Sequence, residues 1–467
     1  MGTITFHGAA QEVTGSCHLV ESPAIGRVLL DCGIRQGGDA LNRVQEEGFP
    51  FEPNSIDAVI LSHVHLDHSG LLPTLVHQGF SGPIYCTHAS KNLLRIMLED
   101  ASGLYHRDLE HENLRRKRSG RPLLEEEYTE KDVEQTLKLC DSSPYRTPVK
   151  ITPDATLCFQ DAGHILGSAI VELELIEKGQ TQRIVFSGDL GKFDSVLMNT
   201  PAVVEHADIL MMESTYGDRN HKDMDNTLEE LERILHETWE RGGNVMIPSF
   251  AVGRTQEIIY HLGTLYHAGK LDNWEIFLDS PMAIEVTAVY DHWLKILDAE
   301  DIRCLDKYGK ESLEGFLPKL HLTNSTEESI GINRVKKGAI IIAGSGMCTG
   351  GRIRHHFKHR IWSEKNTVLI VGFQAQGTLG RRLVDGAKSY RMFGDEYIVR
   401  AQIETLGGFS AHAGQSELIE WALQFKDKPR LILVHGEAKA QDVLAQKFWE
   451  DHQIRCTVPA LGDTITF

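Results

Sequence analysis

Ala58-Val59-Ile60-Leu61-Ser62-His63-Val64-His65-Leu66-Asp67-His68 is the stretch on which the reading of this chain turns. An apolar run of strand length leads directly into His63, His65, Asp67 and His68, four metal-capable side chains within six positions. Ligands that leave a sheet at a strand end can converge on one point. Imidazole and carboxylate together suit zinc, with iron or manganese the next candidates. The competing reading, a solvated polar loop, does not account for so dense a run of donors.

One loop cannot complete two metal shells, so further ligands are expected at other strand exits. Gln160-Asp161-Ala162-Gly163-His164, Phe186-Ser187-Gly188-Asp189 and Leu433-Val434-His435-Gly436 each follow an apolar stretch. Taken singly, a His or Asp in a turn is usually structural. Three such exits accompanying the first run point to one site.

Working outward, strands are predicted at Thr3–Phe6, His18–Glu21, Arg27–Leu30, Asp57–Ser62, Ala155–Gln160, Ser168–Leu175 and Arg183–Ser187. A helix-like stretch starts at Ser69, and Lys91–Lys138 is charged with helical period, with Arg115–Arg121 read as a basic loop. From about Met212 the rhythm changes. Asn244–Ile247, Glu275–Leu278, Ala339–Ala343 and Thr367–Val371 are short apolar strands, the first three followed by a Ser- or Gly-bearing turn and a helix-like stretch. Such alternation predicts a parallel sheet with helices on both faces. Near Gly407 the first style returns, with strands at Arg430–Val434 and near Asp463–Phe467. His63 and His435 must meet while the middle is self-contained, so an α/β domain of residues 204–405 is expected inside a domain built from 1–203 and 406–467.

Composition narrows the class. A chain of 467 residues is too long for one core. With 48 basic and 66 acidic residues the net charge is −18, which argues against coating nucleic acid through the whole field but leaves a metal-lined pocket free to hold phosphates. No secretory signal and no bilayer-length apolar run is visible, so a cytoplasmic address is expected. The eight cysteines are scattered without a CxxC pair and read as thiols.

The order Asp31, His63-x-His65-x-Asp67-His68, His164, Asp189 resembles the metallo-β-lactamase fold. Glu213 in Glu213-Ser214-Thr215-Tyr216-Gly217, His412 in Phe409-Ser410-Ala411-His412 and His435 in Val434-His435-Gly436-Glu437 resemble its β-CASP branch, including bacterial and archaeal relatives of the cleavage-and-polyadenylation nuclease subunit. The resemblance runs nearly end to end. It implies an αββα sandwich with an inserted β-CASP α/β domain and a C-terminal RNA-metabolising motif. It implies two Zn2+ per chain: His63, His65 and His164 on one, Asp67, His68 and His435 on the other, Asp189 bridging, and Asp31 orienting an imidazole. A histidine at the last motif is associated in this branch with RNA, so single-stranded RNA is the expected substrate.

The expected reaction is phosphodiester hydrolysis, endonucleolytic or from the 5′ end, by a metal-bridging hydroxide held between the domains, with Asp67 among the catalytic ligands. His412 is the expected general acid, and Glu213 holds it protonated. For substrate contacts, the turn with Ser345, Gly346 and Met347 offers backbone N–H groups to a phosphate, with Arg352 close by. Ser249 and Arg254 lie in a comparable turn, where Arg254 is a candidate bidentate clamp. No Gly-Lys-Ser/Thr follows the Ser345–Met347 turn, so it is not a P-loop and a nucleotide triphosphate is not expected. A membrane partner is not expected, and a homodimer is compatible with the sequence. Two competitors stand beside this reading. A small-molecule hydrolase of thioesters or lactones shares the first motifs but has no use for Glu213, His412 or the insert. A non-catalytic RNA-binding scaffold has no need of so complete a ligand set.

Overall fold

The computed structural model describes residues 2–35, 48–221, 224–372, 374 and 377–467. They form two compact units. One is drawn from the chain up to Ser195, Asn199–Asn220 and His412–Phe467, the other from Val196–Met198 and His221–Ala411. The divisions therefore fall later than the expected 203/204 and 405/406. Ile209–Glu213 is the reason for the first: it pairs in parallel with both Gln180–Phe186 and Arg430–Val434, which ties it to the first unit.

The first unit holds two seven-stranded sheets. Edge to edge, one runs Thr464–Thr466, Thr3–Phe6, His18–Ser22, Gly26–Leu30, Ala58–Ile60, Ile84–Thr87, Cys140–Ser143. The other runs Cys456–Thr457, Arg430–Val434, Ile209–Glu213, Gln180–Phe186, Ala169–Glu177, Ala155–Asp161, Val149–Thr152. Alternation decides what faces what. Phe6, Val20, Val28, Leu30 and Ile60 from the first sheet pack with Phe159, Val171, Leu173, Phe186, Met211 and Ile432 from the second in one buried core. On the outer face of the second sheet, Ile170, Val185, Leu210 and Leu433 meet Leu418, Trp421, Leu444 and Phe448 of helices Gln415–Ala422 and Ala438–His452. Each such side chain contributes about 1.5–3 kcal/mol on full burial. Helix His88–Ser119 packs against Ile84–Thr87 and Cys140–Ser143 of the first sheet. The result is an αββα sandwich.

The parallel pairings place the future site. Leu30 is level with Ile60, so Asp31 and the His63–His68 run emerge at one edge. Phe186 is level with Met211 and Glu213 with Val434, so Asp189, Glu213 and His435 emerge together. The basic segment expected as a loop is mostly helical: Arg115–Arg118 form the last turn of His88–Ser119, capped by Gly120 at φ 68°. Cations there complement the C-terminal carbonyls of the helix dipole.

The second unit carries a six-stranded parallel sheet in the order Leu320–Leu322, Glu275–Leu278, Ala339–Ala343, Val245–Pro248, Thr367–Ile370, Gln402–Thr405. All five residues of Ala339–Ala343 are buried, as a strand covered on both faces requires. Helices Arg254–His267, Pro281–His292 and Ile353–Arg360 follow three of these strands in the chain. A separate hairpin pairs Ser389–Met392 with Asp395–Ile398. Among the described residues no helix is long and apolar enough to cross a membrane.

Candidate active site

Every residue of the expected ligand set lies in the first unit, and the structure brings the set together. His63 Nε2 and His164 Nε2 lie 3.1 and 3.3 Å from His65 Nδ1. On the other side, His68 Nε2 is 3.1 Å from His435 Nε2, with Asp67 Oδ2 3.9 Å from the latter. Asp189 stands between the two groups. Its Oδ2 is 3.5 Å from His63 Nε2 and 3.6 Å from His164 Nε2, and its Oδ1 is 3.4 Å from both His68 Nε2 and His435 Nδ1.

Two observations test whether these residues suit a metal. Asp189 Oδ1 is buried and accepts no hydrogen bond, a costly state for a carboxylate oxygen unless a cation serves it. The imidazole nitrogens of each group converge within 3.1–3.3 Å of a neighbour, close enough for one ion to be shared among them. A nitrogen and oxygen donor set of this kind fits zinc. Burial pushes His63 well below the ordinary histidine range and His65 down to about 4, which keeps both rings neutral as ligands. Burial disfavours charge on Asp189 too, but His435, His68 and His412 outweigh it and hold the carboxyl well below the usual range.

Asp31 is fully buried beneath this cluster. Its Oδ2 accepts from His68 Nδ1 at 2.7 Å, Ser62 Oγ at 2.9 Å and Ser16 Oγ at 3.1 Å, and its Oδ1 from Ser62 N at 2.8 Å. The His68 ring is thereby turned so that Nε2 faces Asp189. Asp31 and His435 both hold positive φ, 61° and 52°, so two site residues carry backbone strain. Gly33 permits the loop above to close: a Cβ there would meet the Asp67 carbonyl oxygen at 1.7 Å.

Glu213 and His412 form the third group. His412 Nδ1 is 3.1 Å from Glu213 Oε1 and 3.8 Å from Asp189 Oδ2. Glu213 is fully buried; Leu190 N donates to its Oε1 and Thr215 N to its Oε2. Burial opposes charge on His412, but the Glu213 and Asp189 carboxylates prevail and lift its pKa to about 9. Nδ1 faces Glu213, which makes Nε2 the ring nitrogen that can face a leaving group. A proton donor thus sits beside a metal-suited cluster.

Comparison with known proteins places this geometry. Three family models match: the Beta-lactamase superfamily domain over residues 26–241, the Beta-Casp domain over 255–383 and the Zn-dependent metallo-hydrolase RNA specificity domain over 396–459. The chain is 39% identical over 431 residues to a protein named a ribonuclease in Thermus thermophilus, 92% of each being covered. It is 31% identical over 465 residues to an RNase J-like protein of Methanocaldococcus jannaschii, covering 99% of each. The chain belongs to the β-CASP metallo-hydrolases. A transcription termination factor of Methanothermobacter thermautotrophicus is 34% identical over 478 residues, 99% of this chain and 71% of the factor. A solved protein of unknown function from Enterococcus faecalis V583 shares the fold, with a TM-score of 0.54 at 14% identity and full coverage of both chains.

In this β-CASP chain the expected substrate contacts lie in the second unit and divide in two. Arg254 is not the open clamp its turn suggested: it is buried, paired with Glu257, and rests near the Phe409 ring. Ser249 is buried as well and bonded within its own turn to Thr255 Oγ1 and Phe250 O. Arg352 is a brace. It donates to Asp279 Oδ1 at 2.7 Å, Thr323 O at 2.9 Å and Asn324 O at 2.9 Å, which occupies the fork expected to meet phosphate. The turn at Ser345, Gly346 and Met347 differs. Ser345 Oγ accepts from Gly350 N at 3.1 Å, closing the loop, and a Cβ on Gly346 would meet Phe250 at 2.6 Å. The Gly346 and Met347 N–H groups make no hydrogen bond among the described residues.

Sequence reasoning passed over Ser62 and Thr215. Ser62 Oγ reaches Asp31 and lies 3.1 Å from His63 Nδ1, and Thr215 Oγ1 is 3.1 Å from His435 Nδ1. Both lie inside quoted motifs, one residue before a ligand and two after Glu213. That adjacency was the available signal.

Proposed function

We propose that this chain, a metal-dependent RNA nuclease by family, hydrolyses phosphodiester bonds at the His/Asp cluster, with His412 protonating the leaving oxygen and Glu213 holding it ready. The observation that carries this is the third group: an imidazole anchored on a buried carboxylate beside the Asp189 carboxylate. His63, His65 and His164 would hold one zinc ion and Asp67, His68 and His435 a second, with the Asp189 carboxylate available to both. Bound there, they supply Lewis acidity toward the phosphate and lower the pKa of water near the scissile bond.

The chain's own residues do the rest. Asp31 and Ser62 fix the imidazole orientation of His68, and Thr215 does the same for His435. Glu213 keeps Nδ1 of His412 protonated, so that Nε2 can pass its proton to the departing 3′ oxygen. The Gly346 and Met347 N–H groups suit a backbone phosphate of the substrate. A thioesterase expels a thiolate, a better leaving group than a sugar alkoxide, and has no need of a dedicated acid. The deciding experiment is incubation of zinc-loaded protein with single-stranded RNA labelled at either end. A metal-dependent ladder supports the reading; RNA left intact beside a rapidly hydrolysed thioester removes it.

A further inference from the structure

The hairpin of the second unit has an unexpected tip. Met392 pairs with Asp395, which leaves Phe393 and Gly394 as a two-residue turn, with φ values of 52° and 92°. Hairpins favour such turns, but their first position ordinarily takes Asn, Asp or Gly, because a bulky side chain at positive φ is strained. Burial does not offset that cost here. Phe393 is 46% exposed, while Tyr390 and Met392, each 2% exposed, pack the hairpin into the core with Ile353 and Phe357.

Instead the ring is held from the side. His355, itself exposed, stacks on it at 4.8 Å between centroids with planes 29° apart, and the Arg354 guanidinium lies 4.8 Å from its centroid. Both come from helix Ile353–Arg360, which continues directly from the glycine turn: Ile353 N donates to Gly344 O, and Arg354 Nη1 to Thr349 O. Burial, with the charges of Lys358 and Arg354, lowers the His355 pKa, which favours a neutral ring suited to stacking. Lys358 and His359 are exposed on the same helix, and Arg391 Nε bonds Gly394 O at the tip. In a chain of net charge −18, basic side chains of this helix and Arg391 gather beside an exposed aromatic, with Asp395 and Glu396 exposed on the hairpin's return strand.

We propose that Phe393, with His355 and Arg354, is a stacking platform for an unpaired base of single-stranded RNA, an inference that rests on the ribonuclease reading. Every base offers a π-face, so an aromatic flanked by a guanidinium binds without sequence preference. The strained turn is then explained: it presents a ring that folding alone does not require.

The test uses metal-loaded protein and a cleavage-resistant phosphorothioate RNA, alongside the same strand with abasic residues. Asn suits positive φ, so Phe393→Asn removes the ring without disturbing the turn, and its melting temperature should equal or exceed the parent's. The variant should bind base-bearing RNA roughly five- to a hundredfold more weakly and abasic RNA as the parent does, and Phe393→Trp should restore affinity. Unchanged affinity in Phe393→Asn overturns the platform, as does an equal loss for base-bearing and abasic strands. A parent protein that neither binds nor cleaves RNA overturns the ribonuclease reading, and the platform with it.

Discussion

His412 Nδ1 and Glu213 Oε1, 199 residues apart in the chain, meet at 3.1 Å, and the carboxylate is wholly buried. The pair has a direct pH signature. Glu213 favours the protonated ring, the form a general acid needs, and the His412 pKa stands near 9 in its presence. Activity should therefore fall as pH rises through the His412 pKa. Glu213→Gln removes a raising influence, so the alkaline limb of the kcat/KM profile should move to lower pH. A limb that stays in place would separate Glu213 from the acid.

The cluster around Asp189 makes metal content a quantitative expectation. Elemental analysis should find about two zinc equivalents per chain, and a strong chelator should abolish cleavage. Ions that bind only the folded state stabilise it by about 2.7 kcal/mol at a hundredfold excess over Kd. Chelated protein should accordingly melt at lower temperature and recover on zinc addition. Asp189→Asn should lose zinc from both groups, since its two oxygens face different sets of histidines.

On the proposed reading Asp31 acts on the metal through His68, whose Nδ1 lies 2.7 Å from its Oδ2. Asp31→Asn keeps the size of the side chain, and Asn tolerates the positive φ at this position, so the fold should survive. It loses the anionic acceptor of the His68 Nδ1 proton. Zinc affinity should drop about ten- to a hundredfold, read by competition with a coloured chelator. Unaltered affinity would reduce Asp31 to a turn residue.

Much of this arrangement was legible from strand exits. His63, His164, Asp189 and His435 each follow an apolar strand, which pointed to one site, and parallel pairing brings Asp31 to His63 and Asp189 to His435. The division into two ligand groups came from the family resemblance, and the strand before His164 pairs antiparallel with its neighbours. The side chains at Arg254 and Arg352 could not be read in that way. A guanidinium after a glycine turn looks the same whether it awaits a phosphate or ties down a distant acid, and Asp279, 73 residues from Arg352, gives no local signal. The first division between the units was misplaced for a related reason. Ile209–Glu213 is buried throughout and apolar up to its last residue, and only its partners reveal which sheet it joins.

The brace assignment for Arg352 is itself open to measurement. Asp279 is fully buried and receives Arg352, His356 and Ser329. Arg352→Ala strips one charged donor from it and should cost about 1.5–3 kcal/mol in chemical denaturation. Arg352→Lys should recover little of this, because one ammonium cannot reach the acceptors that the planar fork spans. A phosphate clamp would show the reverse pattern: raised KM for RNA with stability unchanged.

The strongest prediction separates acid from ligand. His412→Ala removes leaving-group protonation but no member of either assigned zinc set, so zinc content should stay at the parent value while RNA cleavage slows roughly a hundred- to ten-thousandfold. His65→Ala opens a ligand group, since His65 Nδ1 meets both His63 and His164, and should lose zinc and cleavage together. An aryl phosphodiester sharpens the contrast. Its leaving oxide departs without a proton, so its hydrolysis should be largely retained in His412→Ala and absent in His65→Ala. Glu213→Gln should resemble His412→Ala, and the double variant should be little worse than either single one, because the two side chains act as one proton-donating unit. Should His412→Ala lose zinc as readily as His65→Ala, or hydrolyse the aryl ester no better than RNA, then His412 holds a metal or positions substrate instead of donating a proton.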